Sequence, residues 1–214
     1  MPKVIALTGG IGSGKTFVSS IFKKLDNIPC FYSDLEAKKI MNENNLIKKE
    51  ILSILGPESY VNNKLNTKFL RNEIFYSQDK LNVINKLVHN QVKTNFKKWL
   101  DNQNSKYVLK ETAILFEHNL NIEVDLSILV VAPLKVRIER IIKRDNISQK
   151  TIKKIIANQW ADKKKIHLSD YFIENLNKSN TIKRVKDLVE VFSVLWLYKQ
   201  RFNHNNFINI VLGK

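Results

Sequence analysis

Near its start the chain reads Val4-Ile5-Ala6-Leu7-Thr8-Gly9-Gly10-Ile11-Gly12-Ser13-Gly14-Lys15-Thr16. An apolar, strand-like run leads into a turn with four of the chain's six glycines, and a helical pattern follows. The spacing fits G-x-x-x-x-G-K-[ST], a phosphate-binding loop, in which glycines bring backbone N–H groups close to phosphate oxygens. The motif predicts that Lys15 contacts the β- and γ-phosphates and Thr16 ligates Mg²⁺. The alternative, a glycine-rich turn without a ligand, is disfavoured by the flanking strand and helix.

The composition favours a compact intracellular chain. With 214 residues, 43% of them hydrophobic, it can bury one core with inserted subdomains. No apolar run approaches the roughly 20 residues that cross a bilayer, and no leader pattern precedes the first strand. The single cysteine, Cys30, excludes an intramolecular disulfide, and the four scattered histidines lack metal-ligand spacing. We therefore expect a cytoplasmic protein without a membrane partner.

The formal net charge of +16 suggests a polyanionic partner. The basic residues are mostly lysines, however, and they are spread along the whole chain without interleaved stacking aromatics. We therefore expect no nucleic-acid partner, because a small polyanionic substrate would use the same positive field.

Apolar, β-rich runs alternate with helical patterns, which predicts an α/β parallel sheet. The predicted strands are residues 4–8, 30–33, 107–110, 126–131 and 171–173. Four predicted helices, at 35–42, 46–55, 67–77 and 80–100, separate the second and third strands and indicate a helical subdomain. A second helical, basic insert spans 134–166. A helix over 181–197 is expected to pack on the sheet, and the remainder to Lys214 is weakly specified.

Asp34 is the candidate catalytic base. It follows the second predicted strand, and the carboxyl ends of parallel strands meet at the edge that carries the phosphate loop. A carboxylate there can take the proton from an attacking hydroxyl during phosphoryl transfer. The residues alone leave a second possibility open, in which Asp34 is the N-cap of the following helix. A switching GTPase is disfavoured, because Asn85-Lys86 and Asn177-Lys178 lack the aspartate of N-K-x-D.

Three of the chain's six arginines, Arg137, Arg140 and Arg144, have the spacing of one helix face. In a lysine-rich sequence this choice favours planar, bidentate binding of phosphate over a merely solvated face. The run Lys163-Lys164-Lys165 is expected to be a solvated surface for at least two of its members.

Taken together, these motifs resemble the dephospho-CoA kinase family, and the likeness extends from Val4 to about Leu197. The likeness rests on residues 6–16, 31–37, 111–117, 137–144, Gln159 and 169–175. Within 31–37, Asp34 stands at the position of the family's proposed base. The sequence departs from the family pattern at Tyr32, Ala113, Asn90 and Ile155. If Ile155 replaces a lid arginine, more of the phosphate binding falls to the three arginines at 137–144.

The resemblance implies a P-loop NTPase fold, a five-stranded parallel sheet flanked by helices, with helical acceptor-binding and lid inserts. Within one domain, the nucleotide-binding core would comprise 1–34, 106–135 and 166–201, the acceptor region 35–105 and the lid 136–165. The implied reaction transfers the γ-phosphoryl group of Mg·ATP to the ribose 3′-hydroxyl of dephospho-CoA, with ATP and Mg²⁺ as cofactors and a monomeric enzyme. Rival readings are another small-molecule P-loop kinase, a nucleic-acid-dependent ATPase and a non-catalytic nucleotide binder.

The resemblance also implies a role for individual residues. The catalytic residues would be Asp34, Lys15 and Arg140, and Thr16 would hold Mg²⁺. ATP would be bound by Gly10, Ile11, Gly12, Ser13, Gly14, Lys15, Thr16, Phe17, Arg144 and Asn175. The acceptor would be bound by Thr8, Asp34, His89, Leu115, Phe116 and Glu117, and the lid would contribute Arg137, Arg140, Arg144 and Gln159.

Overall fold

The computed structural model describes residues 1–201, without the side chains of residues 71, 72, 74–76, 78, 81 and 195–201. The chain divides into two compact units. The first contains Met1–Cys30 and the chain from Asn104 onward, and the second contains Phe31–Gln103.

The structure contains a five-stranded parallel sheet, as the sequence predicts. Its strands are β1 (Lys3–Thr8), β2 (Cys30–Tyr32), β5 (Tyr107–Glu111), β6 (Leu126–Val131) and β7 (Tyr171–Glu174), in the order β2-β5-β1-β6-β7. The central strand β1 is buried from Val4 to Thr8, which explains its unbroken apolar run, because parallel strands are covered on both faces. The loop that follows β1 therefore starts from the buried, central strand of the sheet.

Two long helices cover this sheet: α1 (Lys15–Asp26) and α9 (Lys178–Arg201). Phe22 of α1 stacks on Phe192 of α9 with ring centroids 6.4 Å apart. Val185 and Leu188 share the core with strand residues, which confirms that the predicted helix over 181–197 packs on the sheet. The weakly specified remainder from residue 202 lies outside the described residues.

The second insert forms three helices, α6 (Leu134–Asp145), α7 (Gln149–Ala157) and α8 (Asp162–Ile166). Ile138 and Ile141 of α6 pack against Ile152 of α7, and the Ile11 side chain joins this cluster. The basic insert is thus attached to the glycine-rich loop through apolar contacts. No helix in residues 1–201 is both long and apolar enough to span a bilayer.

The second unit is helical apart from one hairpin. It contains α2 (Ser33–Glu43), α3 (Asn45–Leu55), β3 (Tyr60–Val61), β4 (Lys64–Leu65), α4 (Thr67–Tyr76) and α5 (Gln78–Asp101). The three shorter helices pack against α5, and Phe31 lies 5.1 Å from the Phe96 ring. The four predicted helices are confirmed, whereas the hairpin was not predicted.

Candidate functional site

The glycine-rich loop joins β1 to the first turn of α1. Gly12 and Gly14 have φ angles of 79° and 95°, a left-handed conformation that glycine adopts without steric cost. A Cβ atom on Gly14 would collide with the Asn175 amide, so this position also needs glycine for close approach. Phe17 N and Val18 N both donate to Gly14 O at 3.1 Å, so the helix begins directly at the loop, and its positive N-terminal end favours an anion there.

Side chains from outside the loop hold its carbonyl oxygens. Arg137 Nε donates to Ile11 O at 2.8 Å, and Asn175 Nδ2 donates to Ser13 O at 2.8 Å. Arg140 Nη1 reaches the same Ser13 oxygen at 3.3 Å, and its Nη2 donates to Asn175 O at 2.8 Å. The loop is therefore fixed through its carbonyl oxygens, and the N–H groups of Gly12 and Gly14 have no hydrogen-bond partner among the described residues.

Lys15 and Thr16 stand at the start of α1. Lys15 is 9% exposed, and its Nζ donates to Gly9 O at 3.0 Å, so its ammonium lies within the loop. Thr16 is exposed, so its hydroxyl is accessible to a metal ion. The hydroxyls of Thr8 and Ser13 are buried and have no hydrogen-bond partner among the described residues. Backbone donors, an ammonium and hydroxyls are the groups that bind phosphate, and the Thr16 hydroxyl is the group that could hold a metal ion.

The structure separates the three arginines of α6. Arg137 is only 6% exposed and donates to Ile11 and to Asp162 Oδ2 at 3.0 Å. Arg140 also contacts the loop, as described above. Arg144 instead pairs through two nitrogens with the carboxylate of Asp145, at 2.7 Å each. Two of the three predicted phosphate ligands thus contact the loop backbone, and the third has a different partner.

The connection after α7 also contacts the loop. Gln159 Oε1 accepts a hydrogen bond from Ile11 N at 2.9 Å. The next residue, Trp160, donates its backbone N–H to Glu117 Oε1 at 3.0 Å. Glu117 also pairs with Lys165 Nζ at 2.5 Å, and that lysine side chain is fully buried. Asp162, Trp160 and Lys165 were missed in the sequence, because only their partners in the fold distinguish them.

Two of the predicted acceptor residues have a packing role. Leu115 and Phe116 are 0% and 2% exposed and pack with Ala6 and Trp160. Their contact with an acceptor stays a prediction. In the lysine run, Lys163 and Lys164 are exposed, which confirms the expectation of two solvated members, whereas Lys165 is buried.

Asp34 and His89 belong to the second unit. Asp34 is exposed and is the second residue of α2, whose N-cap is Tyr32. The N-cap alternative for Asp34 is therefore wrong, because the helix begins one residue before it. His89 lines a cavity of about 150 Å³ whose walls include Ala37, Met41 and Val88.

The family model for dephospho-CoA kinase matches residues 3–181. The chain belongs to the dephospho-CoA kinase family. A dephospho-CoA kinase of Bacteroides fragilis is 33% identical over 86% of this chain and 90% of its own length. Membership confirms the predicted enzyme class and activity, an ATP-dependent phosphorylation of dephospho-CoA to coenzyme A.

Solved structures agree on the fold. The structure of TT1252 from Thermus thermophilus has a TM-score of 0.80 at 24% identity, covering 89% of this chain and 97% of its own. A dephospho-CoA kinase from Campylobacter jejuni has a TM-score of 0.65 at 21% identity, covering 90% of this chain and 98% of its own. The predicted P-loop kinase fold is confirmed.

Proposed function

We propose that this chain moves the γ-phosphoryl group of Mg·ATP to the ribose 3′-hydroxyl of dephospho-CoA, using the loop after β1 and the carboxylate of Asp34. The loop carries the proposal: its carbonyl oxygens at Ile11 and Ser13 are held by other side chains, so the N–H groups of Gly12 and Gly14 serve the nucleotide phosphates. Lys15 binds the β- and γ-phosphates from within the loop.

In the reaction the bond between the γ-phosphorus and the β,γ-bridging oxygen breaks, and a bond from that phosphorus to the 3′-oxygen forms. Asp34 accepts the hydroxyl proton, and ADP leaves. Arg140, which already contacts the loop at Ser13 O, neutralises charge on the transferred group with its remaining donors. Thr16 holds Mg²⁺, which offsets phosphate charge when it is bound.

The remaining proposed ligands lie around the loop. The ATP phosphates are bound by the loop and the first turn of α1, which contain Gly10, Ile11, Gly12, Ser13, Gly14 and Phe17. Asn175 donates to the loop at Ser13 O, and we propose that it also contacts the adenine. Arg144 serves ATP only after leaving Asp145. Thr8, Leu115, Phe116 and Glu117 support the acceptor site from β1 and from the segment after β5.

His89 lines a mostly apolar cavity of the second unit, which supports its proposed place in the acceptor region. Residues 35–105 are the proposed acceptor region, and residues 136–165 are the proposed lid. We further propose a cytoplasmic monomer without a nucleic-acid partner.

The test offers the purified protein Mg·ATP with dephospho-CoA, adenosine, AMP, CMP or single-stranded RNA, and identifies products by mass. Conversion of dephospho-CoA to coenzyme A, alone among these, is expected. Asp34→Asn should lower kcat about 10²- to 10⁴-fold with an unchanged KM for ATP, since a general base contributes that much. Glu43→Gln, an exposed acid on the same helix, is the matched control.

The possible results test the catalytic base, the acceptor and the class of enzyme separately. Wild-type activity in Asp34→Asn would remove Asp34 as the base and leave the reaction intact. Phosphorylation of a different acceptor would contradict the substrate, and turnover only with RNA would support a nucleic-acid-dependent ATPase.

A further inference from the structure

Residues of the lid helices and of the connection after α7 hold Ile11 of the phosphate loop on three sides. Its N–H donates to Gln159 Oε1 at 2.9 Å, and its carbonyl accepts from Arg137 Nε at 2.8 Å. Its side chain packs in the cluster of α6 and α7 that includes Ile141 and Ile152. The conformation of the loop therefore depends on the position of the lid.

The geometry of the peptide group gives these contacts a direction. In a planar trans peptide the C=O and the N–H of the same group point in opposite directions. Because Arg137 holds Ile11 O, the N–H of Gly12 is directed away from Arg137. Asn175 acts in the same way on Ser13 O, which directs the N–H of Gly14. The intervening N–H of Ser13 donates to Gly10 O at 3.1 Å, so the loop offers an anion the N–H groups of Gly12 and Gly14.

The Arg137 side chain is buried, and its Nε and Nη1 donors are already bonded to Ile11 O and Asp162. Its side chain is 7% exposed, and its Nη1 donates to Asp162 Oδ2 at 3.0 Å, so a neighbouring carboxylate already neutralises it. The planar guanidinium serves two acceptors in different directions at once, which a lysine ammonium does not reproduce. Gln159 is also held in place, because the adjoining Trp160 N–H is bonded to Glu117.

We propose that Arg137 and Gln159 are positioning residues that fix the two peptide groups of Ile11, so that the Gly12 N–H faces the nucleotide phosphates. Neither side chain touches phosphate. This assignment rests on the proposed nucleotide site and replaces the predicted phosphate contact of Arg137.

The test measures ADP binding by calorimetry for Arg137→Lys and Gln159→Met, together with thermal midpoints and KM values for both substrates. Each variant should bind ADP about tenfold more weakly, the equivalent of about 1.4 kcal/mol for one oriented hydrogen bond. The KM for ATP should rise and that for dephospho-CoA should not change. Arg184→Lys and Gln149→Met, both exposed, are the matched controls and should bind ADP as the wild type does.

Two further variants distinguish the mechanism. Asp162→Asn removes the ion pair but leaves Arg137 Nε on Ile11, so its ADP affinity should stay within about twofold of wild type. The double variant Arg137→Lys/Gln159→Met should lose less affinity than the product of the single losses, because both act through Ile11.

Three results would overturn the proposal: wild-type ADP affinity in both single variants, a loss in Asp162→Asn equal to that in Arg137→Lys, or fully multiplicative losses in the double variant. If Arg137→Lys does not fold, Gln159→Met alone decides the question. A wild-type protein that binds ADP but forms no coenzyme A would refute the reaction without affecting this test.

Discussion

Lys165→Met should be strongly destabilising, because Lys165 is fully buried against Glu117. Their charged atoms lie 2.5 Å apart, and the side chains are 0% and 9% exposed. The second carboxylate oxygen, Glu117 Oε2, is buried without a hydrogen-bond partner among the described residues. Removing the ammonium leaves this carboxylate buried and unpaired, which costs about 3–5 kcal/mol of unfolding free energy. For a chain of this size that equals a fall of roughly 6–20 °C in the thermal midpoint.

The assay is urea unfolding of the wild type and three variants. Lys163→Met, an exposed neighbour in the same run, should stay within about 0.5 kcal/mol of wild type. Glu117→Gln/Lys165→Met should recover most of the loss, since a neutral amide still accepts from Trp160 N and no charge remains buried. The reasoning is refuted if Lys165→Met loses less than about 1 kcal/mol, or if the double variant is no more stable than Lys165→Met.

Two other variants probe the loop and the core. Gly14→Ala should abolish nucleotide binding while the chain stays folded, because the new Cβ would displace the Asn175 amide and residue 14 has a φ of 95°. ADP calorimetry and circular dichroism test this, and wild-type ADP affinity would contradict it. Tyr107→Phe should lower the unfolding free energy by about 1 kcal/mol at pH 7, because Tyr107 donates to Asp26 at 2.5 Å. Burial and this hydrogen bond raise the pKa of Tyr107. The wild type should therefore lose stability relative to Tyr107→Phe as the pH rises above about 10, the pKa of an unfolded tyrosine. Unfolding free energies of the two proteins that change in parallel with pH would refute this.

The sequence predicted those parts of the molecule whose signals are local. The five strands follow runs of apolar and β-branched residues, and the loop follows from its glycines and Lys15. The turn of the missed hairpin is formed by Asn62 and Asn63, both with positive φ. Its sequence signal was weak because Asn-Asn is not one of the strong hairpin pairs such as Asn-Gly. Its strands have two residues each, too short to show an alternating pattern.

The contacts within the site could not be predicted from the sequence, because they join residues that are far apart along the chain. Arg137 and Arg140 differ from Arg144 only in what the fold places opposite them, namely the loop carbonyls instead of Asp145. The alternative that Asp34 is an N-cap failed because α2 begins at Ser33, directly after β2 ends at Tyr32.

The two outer strands of the sheet have a consequence for the behaviour of the enzyme at high concentration. β2 has three residues and β7 has four, whereas the central β1 has six. A short outer strand offers few unpaired N–H and C=O groups, so it is a poor template for strand addition by another chain. The sheet that carries the glycine-rich loop therefore resists edge-to-edge aggregation, which favours a protein that remains dispersed in crowded solution.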